Sequence, residues 1–323
     1  MMYNFYRNPW LLLLIATVFS SLSASQAQTP TDGLMMPAGN LCAVGMYSHD
    51  SWKNYWEGSL KRENLNLGTV TTQSVTAMAA LGVTDKINVL VAVPYVWTKA
   101  SAGTLHGQSG LQDLVLNLKW QALQKESAFG KLSLYAVAGF STPASNYTPD
   151  FQPMSIGMGS TTGSLKGIVH YRTKFGAFVT LQGGYTVRNN IKLDRASYFT
   201  DHLIFSNQVA MPNVIDGSVR AGYLGPRLTA EAVLSRFTPL DGFDIRRNDM
   251  PFPSNLMQAT RVGANFIWRP RFAGPLSFQT GFNYTTHGRN MGQSTTVYGG
   301  LLYIFQLWKK STDPKDTFFQ NNN

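Results

Sequence analysis

Short and long connections alternate along this chain, and they separate segments of about ten residues in which apolar and polar side chains alternate. A period of two predicts β-strands, because successive strand side chains point to opposite faces. Tight turns on one side and long loops on the other are typical of a transmembrane barrel. The turns lie near 83–86, 124–130, 173–176, 224–227 and 269–274, and the loops at 51–68, 99–109, 143–162, 189–213, 238–255 and 288–293. We therefore expect an all-β fold, a transmembrane antiparallel up-and-down β-barrel.

The predicted third and fourth strands show the alternation most clearly. The third places Ile87, Val89, Val91, Val93, Tyr95 and Trp97 on one face. The fourth places Leu114, Leu116, Leu118 and Trp120 on one face and Asp113, Asn117, Lys119 and Gln121 on the other. Eight later segments follow the same rule, and two less regular ones at 43–50 and 69–82 bring the count to about twelve strands. An even count suits a bacterial barrel with both chain ends in the periplasm.

Aromatic residues recur at the strand ends in the apolar phase. Trp120, Tyr171, Tyr223, Trp268 and Phe305 end inward-running strands, while Trp97, Phe140, Tyr185 and Tyr284 lie at the opposite ends. These positions predict the periplasmic and outer aromatic girdles. A soluble β-sandwich also alternates, but it requires neither apolar girdles nor loops sorted by length. The last strand is expected to pair with the first, because an open edge in hydrocarbon leaves backbone groups unpaired.

The termini predict an exported protein. Arg7, the apolar run 10–19 and the small residues at 25–27 form a signal peptide pattern, so residues 1–27 are expected to be removed. A periplasmic N-terminal segment is then expected at 28–42, the outer-membrane barrel at 43–305 and a polar C-terminal tail at 306–323. This arrangement predicts the cell outer membrane of a Gram-negative bacterium.

The composition fits that location. Only 14% of the residues are charged, against about 25% in soluble domains. The formal net charge of +10 would suggest nucleic acid in a soluble protein, but the export signal argues against that partner. The expected partners are outer-membrane lipids, a small-molecule solute, and the barrel assembly machinery. The last of these would recognise the C-terminal pattern Tyr298-x-Gly300-x-x-Tyr303-x-Phe305.

Four local patterns carry a family resemblance. They are Gly82-Val83-Thr84-Asp85-Lys86-Ile87 followed by Pro94-Tyr95, Gly110-Leu111-Gln112-Asp113-Leu114, Lys119-Trp120-Gln121-Ala122-Leu123, and Ala138-Gly139-Phe140-Ser141-Thr142-Pro143. Together they resemble the outer-membrane family named after the meta-pathway of phenol degradation, with the match concentrated in 80–145. The resemblance implies a barrel that passes small, often aromatic or hydrophobic, molecules across the outer membrane. It implies no defined active site, and Asp113 and Lys119 either hold the barrel's register or touch a substrate.

The polar phase of the strands predicts which side chains line the lumen. These candidates are Asp113, Asn117, Lys119, Lys166, His170, Arg172, Arg188, Asp216, Arg220, Glu231 and Arg261. Rings of cationic side chains favour anions in a pore. Alternatively, the charges pair across a narrow barrel and hold it shut. The loop 189–213 is long enough to fold inward and form a constriction.

The hairpin at Gly225-Pro226 predicts one specific ion pair. If Leu224 opposes Arg227, then Arg220 directly opposes Glu231 on the next strand. Directly opposed strand side chains are close enough to interact. The pair would fix the register of these two strands.

An outer-membrane lipid hydrolase is the enzymatic alternative. That chemistry needs a serine activated by a histidine, and only His287 and Ser294 lie near each other at an outer strand end. Their spacing and flanks do not match a hydrolase, so we expect no enzyme and no catalytic residue. A second alternative is a structural or adhesive barrel whose loops bind a partner.

Metal and cofactor sites are not expected. The five histidines show no paired spacing typical of a metal site. Several methionines lie in or beside the predicted loops, and they either pack the loops or line a vestibule for a soft metal or a hydrophobic ligand. These are Met154, Met158, Met211, Met250 and Met257.

Overall fold

Twelve long antiparallel strands form one closed sheet in the computed structural model, which describes residues 28–247 and 249–308. Numbered in chain order, the barrel strands are β1 Asn40–Trp52, β2 Val70–Thr84, β3 Ile87–Ala100, β4 Asp113–Glu126, β5 Gly130–Pro143, β6 Thr162–Thr173, β7 Ala177–Arg188, β8 Val214–Leu224, β9 Leu228–Pro239, β10 Gln258–Trp268, β11 Leu276–Arg289 and β12 Thr295–Gln306. Each strand pairs with its neighbours in sequence, and β12 pairs with β1 from Asn40↔Gln306 to Ser51↔Thr295. The predicted all-β barrel of twelve strands is confirmed.

The connections are sorted by length as the sequence predicted. Short turns join β2 to β3, β4 to β5, β6 to β7, β8 to β9 and β10 to β11, and the last of these contains the single 3-10 turn Arg271–Ala273. The long loops carry short strands at Asn54–Glu57, Leu60–Glu63, Ser109–Leu111, Ile191–Lys192, Tyr198–Phe199, Leu203–Ile204 and Gln208–Val209. Over the described ranges, no helix is long and apolar enough to cross a membrane.

The barrel wall carries apolar side chains on its outer face and polar side chains on its inner face, which is the reverse of a soluble protein. On β4, Leu116 and Trp120 are 39% and 50% exposed on the outer face, whereas Lys119 is fully buried on the inner face. The five aromatic residues predicted for the periplasmic girdle are all exposed on the outer face: Trp120, Tyr171, Tyr223, Trp268 and Phe305. Apolar side chains on the outside require a hydrocarbon environment, so the barrel spans a membrane.

The predicted register between β8 and β9 is wrong by two residues. Leu224 pairs with Thr229 rather than Arg227, and Arg220 directly opposes Val233. The reason is the turn, in which the Gly225 amide donates to the Leu228 carbonyl at 2.9 Å and lengthens the connection. A shift of the register by an even number of residues keeps every side chain on its own face of the sheet. Arg220 and Glu231 therefore still share the lumen and meet diagonally.

The structure changes the expected division of the N-terminal region. β1 begins at Asn40 rather than 43, and residues 28–36 do not form a separate segment outside the barrel. Residues 28–36, here called the inner segment, lie inside the lumen, where Met36 packs with Cys42, Leu90 and Leu302 on the inner wall. The predicted signal peptide 1–27 and residues 309–323 of the predicted tail lie outside the described residues.

We expect Leu116→Arg to destabilise the barrel by about 2–4 kcal/mol, because it places a cation against lipid near mid-membrane. Asn117→Arg is the matched control, since its neighbouring position faces the lumen. Reversible unfolding in lipid vesicles measures both free energies. Equal losses for the two variants would show that the assigned faces are wrong.

Candidate functional site

The inner segment is held in the lumen mainly by one buried lysine. Lys119 Nζ lies 2.8 Å from Asp32 Oδ1 and donates to the carbonyls of Thr29 at 3.1 Å and Asp32 at 2.7 Å. It also lies 5.2 Å from the centroid of the Tyr135 ring. An ammonium group taken out of water is tolerated only when it is paired and hydrogen-bonded. The inner segment supplies all three oxygen acceptors, so Lys119 and the segment stabilise each other.

Other strands add weaker contacts to the same segment. Tyr135 Oη donates to the Gly33 carbonyl at 2.9 Å, and Arg220 Nη2 donates to Thr31 Oγ1 at 2.8 Å. On β3, Asn88 Nδ2 donates to Gln28 Oε1 at 2.8 Å and to the Met36 carbonyl at 3.1 Å. The segment is therefore attached to several strands at once, with Asn88, Lys119, Tyr135 and Arg220 each on a different one.

The backbone of the inner segment comes very close to the barrel wall at Gly33. A Cβ atom at this position would lie 2.1 Å from Cγ and Nδ1 of His170. The His170 ring is buried and fixed by a 2.7 Å hydrogen bond between Nδ1 and Thr180 Oγ1. Glycine is needed here because no side chain fits between the backbone and the ring. His170 thus faces the lumen, as its phase predicted, and it contacts the inner segment.

Most of the predicted lumen charges are neutralised inside the barrel. Arg220 Nη1 lies 2.8 Å from Glu231 Oε1, and Lys166 Nζ lies 3.7 Å from Asp216 Oδ2. Arg172 Nη2 donates to the Leu224 carbonyl at 2.9 Å. Together with Lys119 and Asp32, three of the six predicted cations pair with a carboxylate, and a fourth, Arg172, is hydrogen-bonded to a carbonyl. The three ion pairs agree with the interpretation in which charges pair across the lumen.

Asp113 connects β4 to the loop above it. Tyr147 Oη donates to Asp113 Oδ1 at 2.6 Å and accepts from the Gly159 amide at 3.0 Å. Burial, and then the hydrogen bond to Asp113, raises the pKa of Tyr147 above its ordinary value. Asp113 therefore holds the loop 144–161 in place. Asn117, four positions along, faces inward beside Gly139 on β5.

The lumen contains an inner cavity of about 300 Å³ next to the inner segment. Gln28, Asp32 and Leu34 form one side of it. The barrel wall contributes both apolar and polar side chains to the rest of the lining. The apolar ones include Val44, Met46, Met78, Phe178, Ile267 and Leu302, and the polar ones include His170, Arg220, Glu231, Asn265, Gln279 and Tyr298. Another cavity, of about 250 Å³, lies among Gln121, Lys131 and Arg172 near the short turns, and it is called the third cavity below. Gly33 and Leu34 line both of these cavities, so the inner segment separates them.

A larger cavity of about 630 Å³, here called the vestibule, lies at the long-loop end of the barrel. Arg188, Arg261 and Asp113 line it together with the apolar residues Trp52, Ile156, Met158, Ile245, Pro251 and Met257. The loop carrying Ile245 is tied to β11, because Asp244 accepts two hydrogen bonds from Arg289 at 2.8 and 2.6 Å. The two remaining cations of the predicted lumen set, Arg188 and Arg261, therefore lie in the vestibule.

The predicted constriction by the loop 189–213 is not what the structure shows. None of its residues lines the vestibule, which is lined instead by the loops 144–161 and 240–257. The physical reason is an apolar cluster that holds the loop beside the mouth. Its members are Ile191, Leu193, Tyr198, Val209, Met211 and Phe252.

The methionines divide between the two roles considered for them. Met154 and Met211 are buried in loop clusters. Met158 and Met257 line the vestibule. Their thioethers add adaptable apolar surface to the cavity wall.

The hydrolase candidates are not brought together. His287 is exposed on β11, whereas Ser294 is buried and its Oγ lies 3.2 Å from Thr285 Oγ1. Within the part of the chain that the structure describes, no contact joins the histidine to the serine. The arrangement lacks the base that activates a serine nucleophile.

The inner segment is the functional element that sequence reasoning missed. Residues 28–39 show neither the period of two of a strand nor the period of 3.6 of a helix, so nothing in their pattern marks them as part of the barrel. One signal was present. Lys119 lies in the middle of a membrane strand, and an ionisable residue at such a depth calls for a partner. Asp32 is an acid of the preceding segment that meets this need.

The fold is shared with solved outer-membrane barrels. An outer-membrane channel from Pseudomonas putida F1 superposes with a TM-score of 0.67 at 14% sequence identity, over 86% of this chain and 100% of that chain. The translocator domain of the autotransporter NalP from Neisseria meningitidis gives 0.42 at 9% identity, over 91% of this chain and 94% of that one. The Pseudomonas putida toluene transporter TodX gives 0.39 at 9% identity, over 84% and 90%. The latter two superpose too loosely to support an argument about this chain.

No protein-family model and no curated protein matches the sequence. At 14% identity the likeness to the first channel shows the fold alone. Together with the apolar outer face and the closed sheet, it defines the class: an outer-membrane β-barrel of twelve strands. The location in the outer membrane follows from that class.

We expect Asp32→Ala to release the inner segment from the lumen. The substitution removes the partner of a buried charge, which costs about 3–5 kcal/mol when the charge stays buried. Hydrogen exchange of the amides in 29–36 measures the release.

The double variant Asp32→Ala with Lys119→Met should keep much of the protection, since no buried charge is then left unpaired. Asp201→Ala, in an exposed loop, is the matched control for loss of an acid. Unchanged exchange in the single variant would show that the Asp32–Lys119 pair does not hold the segment.

Proposed function

We propose that this protein is an outer-membrane channel or uptake protein for small molecules, aromatic and hydrophobic ones included. The observation that carries the proposal is the series of three cavities inside one closed barrel. The vestibule lies at the long-loop end, the inner cavity lies beside the inner segment, and the third cavity lies near the short turns. A lumen of this kind provides space for a solute at each level.

The inner segment is the element that would control passage. It divides the inner cavity from the one near the short turns through Gly33 and Leu34. Hydrogen bonds and one buried ion pair hold it, and a solute passes once these contacts are exchanged or the segment shifts. The protein is then a gated or narrow pathway rather than an open general pore.

The apolar lining of the inner cavity supports hydrophobic solutes. Val44, Met78, Phe178 and Leu302 present apolar side chains inside a membrane-spanning lumen. Small-molecule sites are typically apolar cavities with a few polar groups that fix orientation. Asn265, Gln279 and Tyr298 are such groups here. The resemblance to the phenol-degradation family points to the same class of solute, and we propose membership of that family on the motifs in 80–145.

The protein is proposed to work without catalysis. The likeness to an outer-membrane channel favours transport over hydrolysis, and His287 and Ser294 stand apart in different environments.

A role in adhesion is the second candidate, because the tip of the loop 189–213 exposes three apolar side chains. Phe199, Leu203 and Phe205 are 52%, 50% and 85% exposed there. A partner bound by this tip would be lost on deleting 199–206, while solute passage would remain.

Liposome swelling tests the channel directly. Purified mature protein should admit small solutes slowly, and a variant lacking 28–36 should admit them faster, because the partition between two cavities is gone. The variant lacking 199–206 is the control, since it removes the exposed loop tip and keeps Tyr198 in the apolar cluster. If neither the mature protein nor the variant lacking 28–36 allows swelling or bilayer conductance, the channel proposal fails.

Any current through the barrel should favour anions. Three of the lower lumen cations are paired with carboxylates, whereas Arg188 and Arg261 at the mouth form no direct ion pair. Cationic rings favour anions. The reversal potential across a salt gradient reports the preference. Replacing both arginines by glutamine should shift it toward zero. A cation-selective pore would contradict this expectation.

A further inference from the structure

The vestibule contains two arginines that form no direct ion pair with the carboxylates of the described residues. The side chain of Arg188 makes no hydrogen bond or ion pair with any residue in 28–247 or 249–308. The guanidinium of Arg261 lies 5.3 Å from the centroid of the Phe237 ring, and its interaction with Asp50 is electrostatic, without a direct ion pair within those ranges. The other four predicted lumen cations are each satisfied by a carboxylate or a carbonyl. Arg188 and Arg261 are therefore the two predicted lumen cations whose guanidinium groups have no direct carboxylate or carbonyl partner among the described residues.

The nearby carboxylates are already engaged by other groups. Asp113 accepts the 2.6 Å hydrogen bond from Tyr147. Asp50 accepts a 2.6 Å hydrogen bond from Thr296 Oγ1, and it attracts Arg261 electrostatically without pairing with it. Neither acid occupies the donor groups of the two arginines. Those donors remain free to bind an anion that enters from outside.

The rest of the vestibule is suited to an apolar body rather than to a bare ion. Trp52, Ile156, Met158 and Met257 line the same cavity as the arginines. Its volume of about 630 Å³ lies within the range of about 300–1,000 Å³ typical of small-molecule sites. An inorganic anion would not use this apolar surface, and a neutral hydrocarbon would not use the guanidinium groups.

We propose that the vestibule is a binding site for organic anions in which a carboxylate is attached to an aromatic or other apolar body. A guanidinium presents paired N–H donors that match a carboxylate, and the methionine and tryptophan side chains cover the ring. This assignment rests on the proposed uptake function and specifies its solute class. It places solute capture at the outer mouth, before the inner segment is reached.

The test is the binding of benzoate to the full mature barrel in detergent micelles, measured by calorimetry. Arg188→Gln and Arg261→Gln should each weaken benzoate binding about tenfold or more, because a hydrogen bond to a charged group is lost. Benzyl alcohol, which has the ring without the charge, and acetate, which has the charge without the ring, should both bind more weakly than benzoate. Met257→Gln should weaken the binding of benzoate while leaving the binding of acetate unchanged.

Arg236→Gln is the matched control. Arg236 lies near the same end of the wall but is exposed on the outer face of β9, so the variant should bind benzoate normally. A circular dichroism spectrum and a thermal unfolding curve establish that each variant is folded. Benzoate binding that is absent, or that is indifferent to Arg188 and Arg261 in folded variants, would overturn the assignment.

These experiments test the binding site and the channel independently of each other. A barrel that allows liposome swelling but does not bind benzoate retains the channel proposal and loses the vestibule assignment. A barrel that binds benzoate through the arginines but shows neither swelling nor conductance retains the binding site and loses the channel.

Discussion

The structure depends on one constraint, which is that every backbone amide and carbonyl in the hydrocarbon region must be paired within the protein. The pairing of β12 with β1 meets this constraint by removing the last open edge. Closure then fixes an inside and an outside. The period of two assigns each strand residue to one of them, so the leucines and aromatic residues face lipid and the ionisable residues face the lumen. The side of the wall on which each strand residue of the candidate site lies follows from that assignment.

A lumen of twelve strands is narrow enough for charges on different strands to meet, and this barrel uses that proximity at two levels. In the lower lumen, Arg220 with Glu231 and Lys166 with Asp216 neutralise each other, and the inner segment neutralises Lys119. At the mouth, Arg188 and Arg261 line the vestibule together with Asp113 and form no direct ion pair. Direct ion pairs between charges on different strands are therefore found in the lower lumen and not between the vestibule arginines and their neighbouring acids.

The sequence predicts the fold more completely than the site, for physical reasons. Strand alternation is local, so β3 and β4 could be recognised from their own residues, and closure followed from the membrane environment. Contacts that depend on turn geometry were harder to predict from the sequence, as the β8–β9 register shows. The faces were right because an even slip preserves them, while the direct opposition of Arg220 and Glu231 was wrong. The inner segment was missed because its ten or so residues have no period and take their conformation from partners far away in sequence.

The attachment of the inner segment has a consequence for the order of folding. Its partners Asn88, Lys119, Tyr135 and Arg220 lie on β3, β4, β5 and β8, and Met36 also packs against Leu302 on β12. These side chains converge on one point only after the strands stand side by side in the closed wall. Contacts between residues so distant in sequence form late, because the chain entropy lost in closing the long loops must be overcome first. The first residues of the described chain are thus the last to reach their final positions, and a barrel assembled with a missing or slipped strand would have no complete binding surface for them.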